Sequence, residues 1–349
     1  MANPLGHLTS LEITSPDPEK SATFYERKFG LRVVDRINGK IYLRCWGDYY
    51  RYSLVVSPGT DGGLANMTWR TESEAALEDL AGRVEATGVT GEWRNGEHAQ
   101  GRTFSFVGPY GHRMSLAWEV TEYSAEDGFR STYPDRPERR SSHAAAPRFL
   151  DHVTVASSDV RGFAAWYSEV LGFRVMAYTD VEDAPVTVFS VLTTNEKSHD
   201  LGVVLDTSST PGRVHHIAFW ADHPDDLARA ADVLIENGTP IEYGPSVHGI
   251  GEQSYLYFRE PSTLRVELNS GGYRNYVPDW KPRTWVPSQG SNNFYRNWDM
   301  PDSMMEAFPA ARGLTATEDG APPRLREVLT NPWATRAARS PSSSSDNVE

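Results

Sequence analysis

Residues 10–36 read SLEITSPDPEKSATFYERKFGLRVVDR, and residues 152–178 read HVTVASSDVRGFAAWYSEVLGFRVMAY. The second stretch repeats the first: Tyr25 matches Tyr167, Gly30 matches Gly172 and Asp17 matches Asp159, each pair 142 positions apart. Alternating apolar residues ahead of the Asp predict a strand. Asp17 and Asp159 are suited to cap a helix N-terminus, and Pro18 fits its first position. Gly30 and Gly172 fit the left-handed residue just past a helix end, after which LRVVDR and FRVMAY return to strand.

Each half then carries a second unit. RVHHIAFWADHPDDLARAADVLIENG (213–238) predicts a strand and a helix opened near Pro224 and closed by Gly238, and LANMTWRTESEAALEDLAGRVEATG (64–88) follows the same pattern. A strand hairpin ends each half, SYLYFREPSTLRVELN (254–269) in one and TFSFVGPYGHRMSLAW (103–118) in the other. The expected fold class is therefore α+β: four βαβββ modules, two per half, with curved sheets around a cavity. The halves divide as a non-catalytic domain over 1–134, a Pro- and Ser-rich linker DRPERRSSHAAAP over 135–147, and a site-bearing domain over 148–290. An aromatic-rich extension, 291–312, is expected to pack on the second domain. The tail 313–349, ending SPSSSSDNVE, has the composition of a disordered segment.

A chain of 349 residues can bury two cores, and 39% hydrophobic with 23% charged residues is ordinary for a globular protein. The net charge of −13 disfavours nucleic acid and anionic membrane as partners. One cysteine, Cys45, excludes an internal disulfide framework and fits a reducing cytoplasm. The start MANPLGHLTSLEI lacks a basic region followed by an apolar run, so no signal peptide is expected, and no stretch is long and apolar enough to span a bilayer.

Comparing the halves exposes a site. His152 matches Ser10, His216 matches Asn66, and Glu267 matches Ser115. Three positions that serve only packing in one copy have no reason to carry two imidazoles and a carboxylate in the other. A strand histidine alone is ordinarily a hydrogen-bonded core residue. A Glu between Val266 and Leu268 is different, because a buried unpaired carboxylate wants a cation. Two neutral imidazoles and one carboxylate can hold iron(II) on one face and leave the other open for substrate and dioxygen; manganese(II) accepts the same donors. His215 adjoins His216, so strand alternation points them to opposite faces and only one can ligate; spacing alone does not choose. Tyr257 shares a strand with Tyr255 and Arg259, and the turn 260–263 brings it beside Glu267. His199 follows a polar loop and His248 lies in a Gly-rich one, where a plain loop histidine is the simpler reading for each. His7, His98, His112, His143 and His223 read as surface or structural residues.

Taken together, GRVHHIAFW (212–220), YGPSVHGIGEQSYLYF (243–258), LRVELNSGGY (264–273) and PDWKPRTW (278–285) make the chain resemble the type I extradiol ring-cleaving dioxygenases of the vicinal oxygen chelate (glyoxalase/bleomycin-resistance-like) superfamily. The likeness is to the catechol 2,3-dioxygenases and their homoprotocatechuate-cleaving relatives, and it extends to about residue 305. The resemblance implies His152, His216 and Glu267 as ligands of iron(II), and His199, His248 and Tyr257 as catalytic residues around them. It leaves His215 to packing or support. It also implies a catecholic substrate, dioxygen as co-substrate, and a homo-oligomer, with a tetramer common in the family. The homoprotocatechuate-cleaving members are expected to hold their substrate's carboxylate with arginines; Tyr243 or Val247, and Asn292 or Asn293, stand in those places here. That points to a neutral, alkyl- or aryl-substituted catechol. Thr154, two residues after the first ligand, replaces the Asn of some relatives. Other readings of the same architecture are a glyoxalase-type isomerase, a 4-hydroxyphenylpyruvate-type dioxygenase, and a non-enzymatic module that binds an aromatic ligand.

Overall fold

The computed structural model describes residues 3–96, 98–208, 210–293 and 300–309. The expected tail 313–349 lies outside them, as do 294–299 and 310–312 of the extension. Four βαβββ modules follow one another. The first is β1 (Leu5–Ser15), α1 (Pro18–Phe24, continued by a π-helical turn Tyr25–Phe29), β2 (Arg32–Ile37), β3 (Lys40–Arg44) and β4 (Leu54–Pro58). The second is β5 (Gly63–Thr71), α2 (Glu74–Ala86), β6 (Gly91–Asn95), β7 (Arg102–Val107) and β8 (Arg113–Ala117). The third is β9 (Phe149–Ser157), α3 (Val160–Leu171), β10 (Arg174–Asp180), β11 (Thr187–Thr193) and β12 (Leu201–Leu205). The fourth is β13 (Val214–Trp220), α4 (Asp225–Glu236), β14 (Ile241–Val247), β15 (Gln253–Arg259) and β16 (Arg265–Gly271), after which a short β17 (Arg283–Trp285) joins the sheet edge.

The local signals act as read. The Asp17 carboxylate accepts from Lys20 N at 3.0 Å and that of Asp159 from Gly162 N at 2.9 Å, so each satisfies an orphan donor of its helix. Gly30 (φ +92°) and Gly172 (φ +82°) close the two helices in the left-handed region. A Cβ on Gly30 would also stand 2.9 Å from Ala146 N, so the linker's passage depends on this glycine.

Two sheets result, ordered β2-β3-β4-β1-β5-β8-β7-β6 and β14-β15-β16-β13-β9-β12-β11-β10-β17. In each, the first strands of two modules pair antiparallel at the centre, β1 with β5 and β9 with β13. One hydrophobic cluster crosses both halves. Phe29 packs on Phe219 (5.2 Å between centroids) and Phe258 (5.3 Å), and Phe173 packs edge-on against Trp69 (4.9 Å). Each half thus lends aromatics to the other's sheet, which fixes the halves as one body. The linker is fastened too: buried Glu138 pairs with Arg32 and Arg44, and Ala146 N donates to Phe29 O at 2.8 Å. Residues 300–309 form a strap over the second sheet, where Val214 and Phe308 exchange both backbone hydrogen bonds at 2.6 Å.

Candidate metal centre

Three neighbouring strands build the site around one small residue. In register, Ala218 of β13 faces His152 of β9 on one side and Glu267 of β16 on the other. His216 lies two residues before Ala218, on the same face of β13. The methyl group of Ala218 leaves the centre of this triangle open, and all three polar side chains are buried. His152 Nε2 stands 3.1 Å from His216 Nε2 and 3.4 Å from Glu267 Oε2, and His216 Nε2 is 3.0 Å from the same oxygen. One ligand atom from each residue lies within 4.8 Å of the others.

The surroundings of the three side chains suit a cation. His152 Nδ1 lies 2.8 Å from Asp151 Oδ2, which can only accept, so Nδ1 carries a hydrogen and Nε2 is the atom turned toward His216 and Glu267. Asp151 is itself held by Asn269 Nδ2 at 2.9 Å and by Lys197 Nζ at 2.6 Å from its other oxygen. Burial pulls the His152 imidazole down, but Glu267 and Asp151 outweigh it and raise it to about 9. Burial dominates at His216 and lowers it to about 4 despite Glu267. Glu267 Oε1 is buried with no hydrogen-bond partner. The carboxylate holds a positive charge on His152 where a cation would otherwise sit, and two imidazole nitrogens and a carboxylate, all buried and facing inward, are a donor set that fits a divalent first-row ion.

The corresponding face of the first sheet carries no such set. Ser10, Asn66 and Ser115 occupy the equivalent register positions, with Ser115 Oγ donating to Asn66 Oδ1 at 3.1 Å. They line a polar cavity of about 230 Å³. Their hydrogen-bond partners differ in the same way: Thr9 and Ala117 stand where the second half has Asp151 and Asn269. Sequence reasoning missed Asp151, Asn269 and Lys197, although the same comparison of halves held the signal for the first two.

His199, His248 and Tyr257 all line the same cavity as the three donors. Tyr257 pairs directly with Glu267 across β15–β16. Burial, with Glu267 nearby, holds its phenol well above the usual tyrosine range, so it stays a donor. His248 Nδ1 donates to Asn292 O at 2.6 Å, which leaves Nε2 to accept from the Tyr257 hydroxyl at 3.0 Å. The His248 ring lies flat on Tyr255, with centroids 3.9 Å apart. The His199 ring is 4.4 Å from that of His152, and burial pushes it well below the usual histidine range, so it is neutral.

Alternation fails at His215. Val214 pairs with Val155 and His216 with Thr154, so β13 carries one extra residue here, a β-bulge. It turns both rings into the cavity rather than to opposite faces. The cavity, about 310 Å³, is at the small end for ligand pockets (~300–1,000 Å³). Its far wall is apolar, built from Val188, Phe189, Val204 and Leu205 with Met300 and Met304 of the strap. Among the described residues no Lys or Arg lines it. Asn292 does, while Asn292 and Asn293 donate to the Tyr243 hydroxyl at 3.3 and 3.2 Å.

Residues 5–116 and 149–268 match the family model described as Glyoxalase/Bleomycin resistance protein/Dioxygenase superfamily. The chain is 33% identical over 284 residues to a manganese-dependent 2,3-dihydroxybiphenyl 1,2-dioxygenase of Geobacillus genomosp. 3, covering 80% of this chain and 89% of that one. It is 28% identical over 291 residues to a metapyrocatechase of Geobacillus stearothermophilus, covering 82% and 88% respectively. Among solved structures, the 2,3-dioxygenase LapB from Pseudomonas sp. KL28 superposes with a TM-score of 0.75 at 25% identity, over 82% of this chain and 99% of that one. With both halves matched, the chain belongs to the glyoxalase/bleomycin resistance protein/dioxygenase superfamily and stands among its extradiol dioxygenases.

Proposed function

We propose that this protein is an iron(II)-dependent extradiol dioxygenase that opens the ring of a neutral, substituted catechol beside its two hydroxyls. The product is of the 2-hydroxymuconic semialdehyde type, and both atoms of dioxygen enter it. The convergence of His152, His216 and Glu267 on one buried point carries the reading. A second reading, manganese(II) in the same place, is favoured by the manganese dependence named for the relative of 33% identity.

A divalent ion held by these three residues would lower the pKa of a catechol hydroxyl and bring catechol and dioxygen side by side. The remaining work belongs to the chain. His199, neutral and buried, takes the proton from a substrate hydroxyl and returns it later as an acid. The His248–Tyr257 pair offers a donor and an acceptor at fixed separation to orient a substrate oxygen. The strap methionines and the β11–β12 wall exclude water and receive the ring substituent. A pocket without a cation gives a substrate carboxylate no partner and would leave it buried at a cost. The first domain (1–134) is assigned a structural role.

The test is oxygen uptake after anaerobic loading with iron(II) or manganese(II). Catechol, 3- and 4-methylcatechol and 2,3-dihydroxybiphenyl are expected to be turned over faster than homoprotocatechuate, with a yellow product. No uptake with any of them under either metal defeats the assignment.

A further inference from the structure

We propose that His215 is a positioning residue: its ring fixes the tautomer of His216 and ties the metal centre to the strap 300–309. The inference rests on the metal-ligand reading of His216 given above.

One line of hydrogen bonds joins His216 to the strap through His215. His215 Nε2 is 2.6 Å from the carbonyl oxygen of Met304. A carbonyl can only accept, so His215 Nε2 carries the hydrogen. On the other side, His215 Nδ1 is 2.6 Å from His216 Nδ1. One of these two atoms must donate. If His216 donates, its Nδ1 holds the hydrogen and its Nε2 turns a lone pair toward His152 and Glu267. If His215 donates, the His216 hydrogen moves to Nε2 and points into the donor cluster, which spoils His216 as a ligand. Only the first arrangement is compatible with the metal centre. A proton donor chain therefore runs from His216 through His215 to the Met304 carbonyl. His152 obtains the same result from a carboxylate, Asp151. The two ligand imidazoles are thus oriented by different means, one within the sheet and one from the strap.

The strap end of this chain is built to stay in place. Arg265, with no exposed surface, donates to the carbonyls of Ser303 and Glu306 as well as to His215 O (3.0 Å). Arg213 donates to the carbonyls of Ala307 and Pro309. The fold itself does not require a histidine at this place. The first half has the same bulge, between Asn66 and Leu64 opposite Glu12 and Ile13, and carries Ala65 there.

The experiment uses the full chain, metal binding and ring nitrogen spectroscopy. Glutamine separates its acceptor oxygen and donor nitrogen by roughly the spacing of the two ring nitrogens, so His215→Gln can keep both bonds, and His215→Phe keeps neither. Chelator competition with zinc as the probe is expected to give His215→Gln an affinity close to wild type. His215→Phe should lose ~10–100-fold, as when a group orienting a ligand histidine is removed. Equal affinity in all three proteins, or equal loss in both variants while they remain folded, overturns the proposal. In ¹⁵N-histidine-labelled, zinc-loaded wild type, His215 should be protonated at Nε2 and bare at Nδ1; the opposite tautomer overturns it without any mutation. Zinc should also slow amide exchange over 300–309 in wild type and His215→Gln but not in His215→Phe, and equal slowing in all three breaks the link to the strap. A wild type that takes up no metal ends the metal reading and this one together, whereas tight binding unaffected by His215→Phe ends this one alone.

Discussion

Glu267 and His199 occupy one cavity, and single substitutions separate the roles proposed for them. Glu267 supplies the negative charge of the donor set and is buried between two imidazoles. Glu267→Gln keeps the shape and removes the charge. Metal affinity, read by chelator competition, should fall by more than the ~10–100-fold typical of losing a group that merely orients a ligand. Metal content at the wild-type level would show that the carboxylate is not a ligand. His199 instead offers a neutral ring beside the donors and is not one of them. His199→Phe should leave metal content intact and lower turnover by ~10²–10⁴-fold, the usual worth of a proton-transferring group. Full turnover in that variant removes the role. The cluster of His152, His216 and Glu267 was legible in the sequence because an internal copy lacking them lay alongside. Asp151 was not legible in the same way although Thr9 stands opposite it, because its role depends on a hydrogen bond to His152 Nδ1 that only the fold shows.

At the scale of elements, the sequence was most legible where a rule is local. The caps Asp17 and Asp159, and the glycines closing their helices, lie where composition put them. Asp159→Ala removes the acceptor for Gly162 N and should cost about 1 kcal/mol. A urea midpoint unchanged by the substitution would mean that the cap contributes nothing to α3. Where a rule assumes regularity, it misled. Period-two alternation sets His215 and His216 apart, but the extra residue in β13 turns them toward the same space. The bulge occurs in both halves and so belongs to the fold rather than to the site. No residue type announces it: its centre is Ala65 in one copy and His215 in the other. The strap had no periodicity to read, and its methionines reach the cavity through backbone pairing with β13 that becomes visible only in three dimensions.

For the whole molecule, the joint between the halves should respond to acid. The turn before β8 places His112 against the start of β13, where its Nε2 donates to Arg213 O at 2.9 Å across the joint. Its other ring nitrogen is buried without a partner. Burial lowers the imidazole to about 4, with the Arg213 carbonyl and the Asp206 carboxylate only partly opposing it. In the unfolded chain the same group titrates near ~6.5. Between those values the unfolded chain binds a proton that the folded one refuses. The contribution of this residue is therefore complete above about pH 6.5 and is lost progressively as pH falls toward 4, by an amount on the order of 3 kcal/mol at most. Glutamine can donate to the same carbonyl without titrating. His112→Gln should therefore flatten the fall in unfolding free energy between pH 6.5 and 4, measured by urea titration at each pH, while changing stability little at pH 7.5. An acid limb of unchanged slope would place the pH sensitivity of the joint elsewhere.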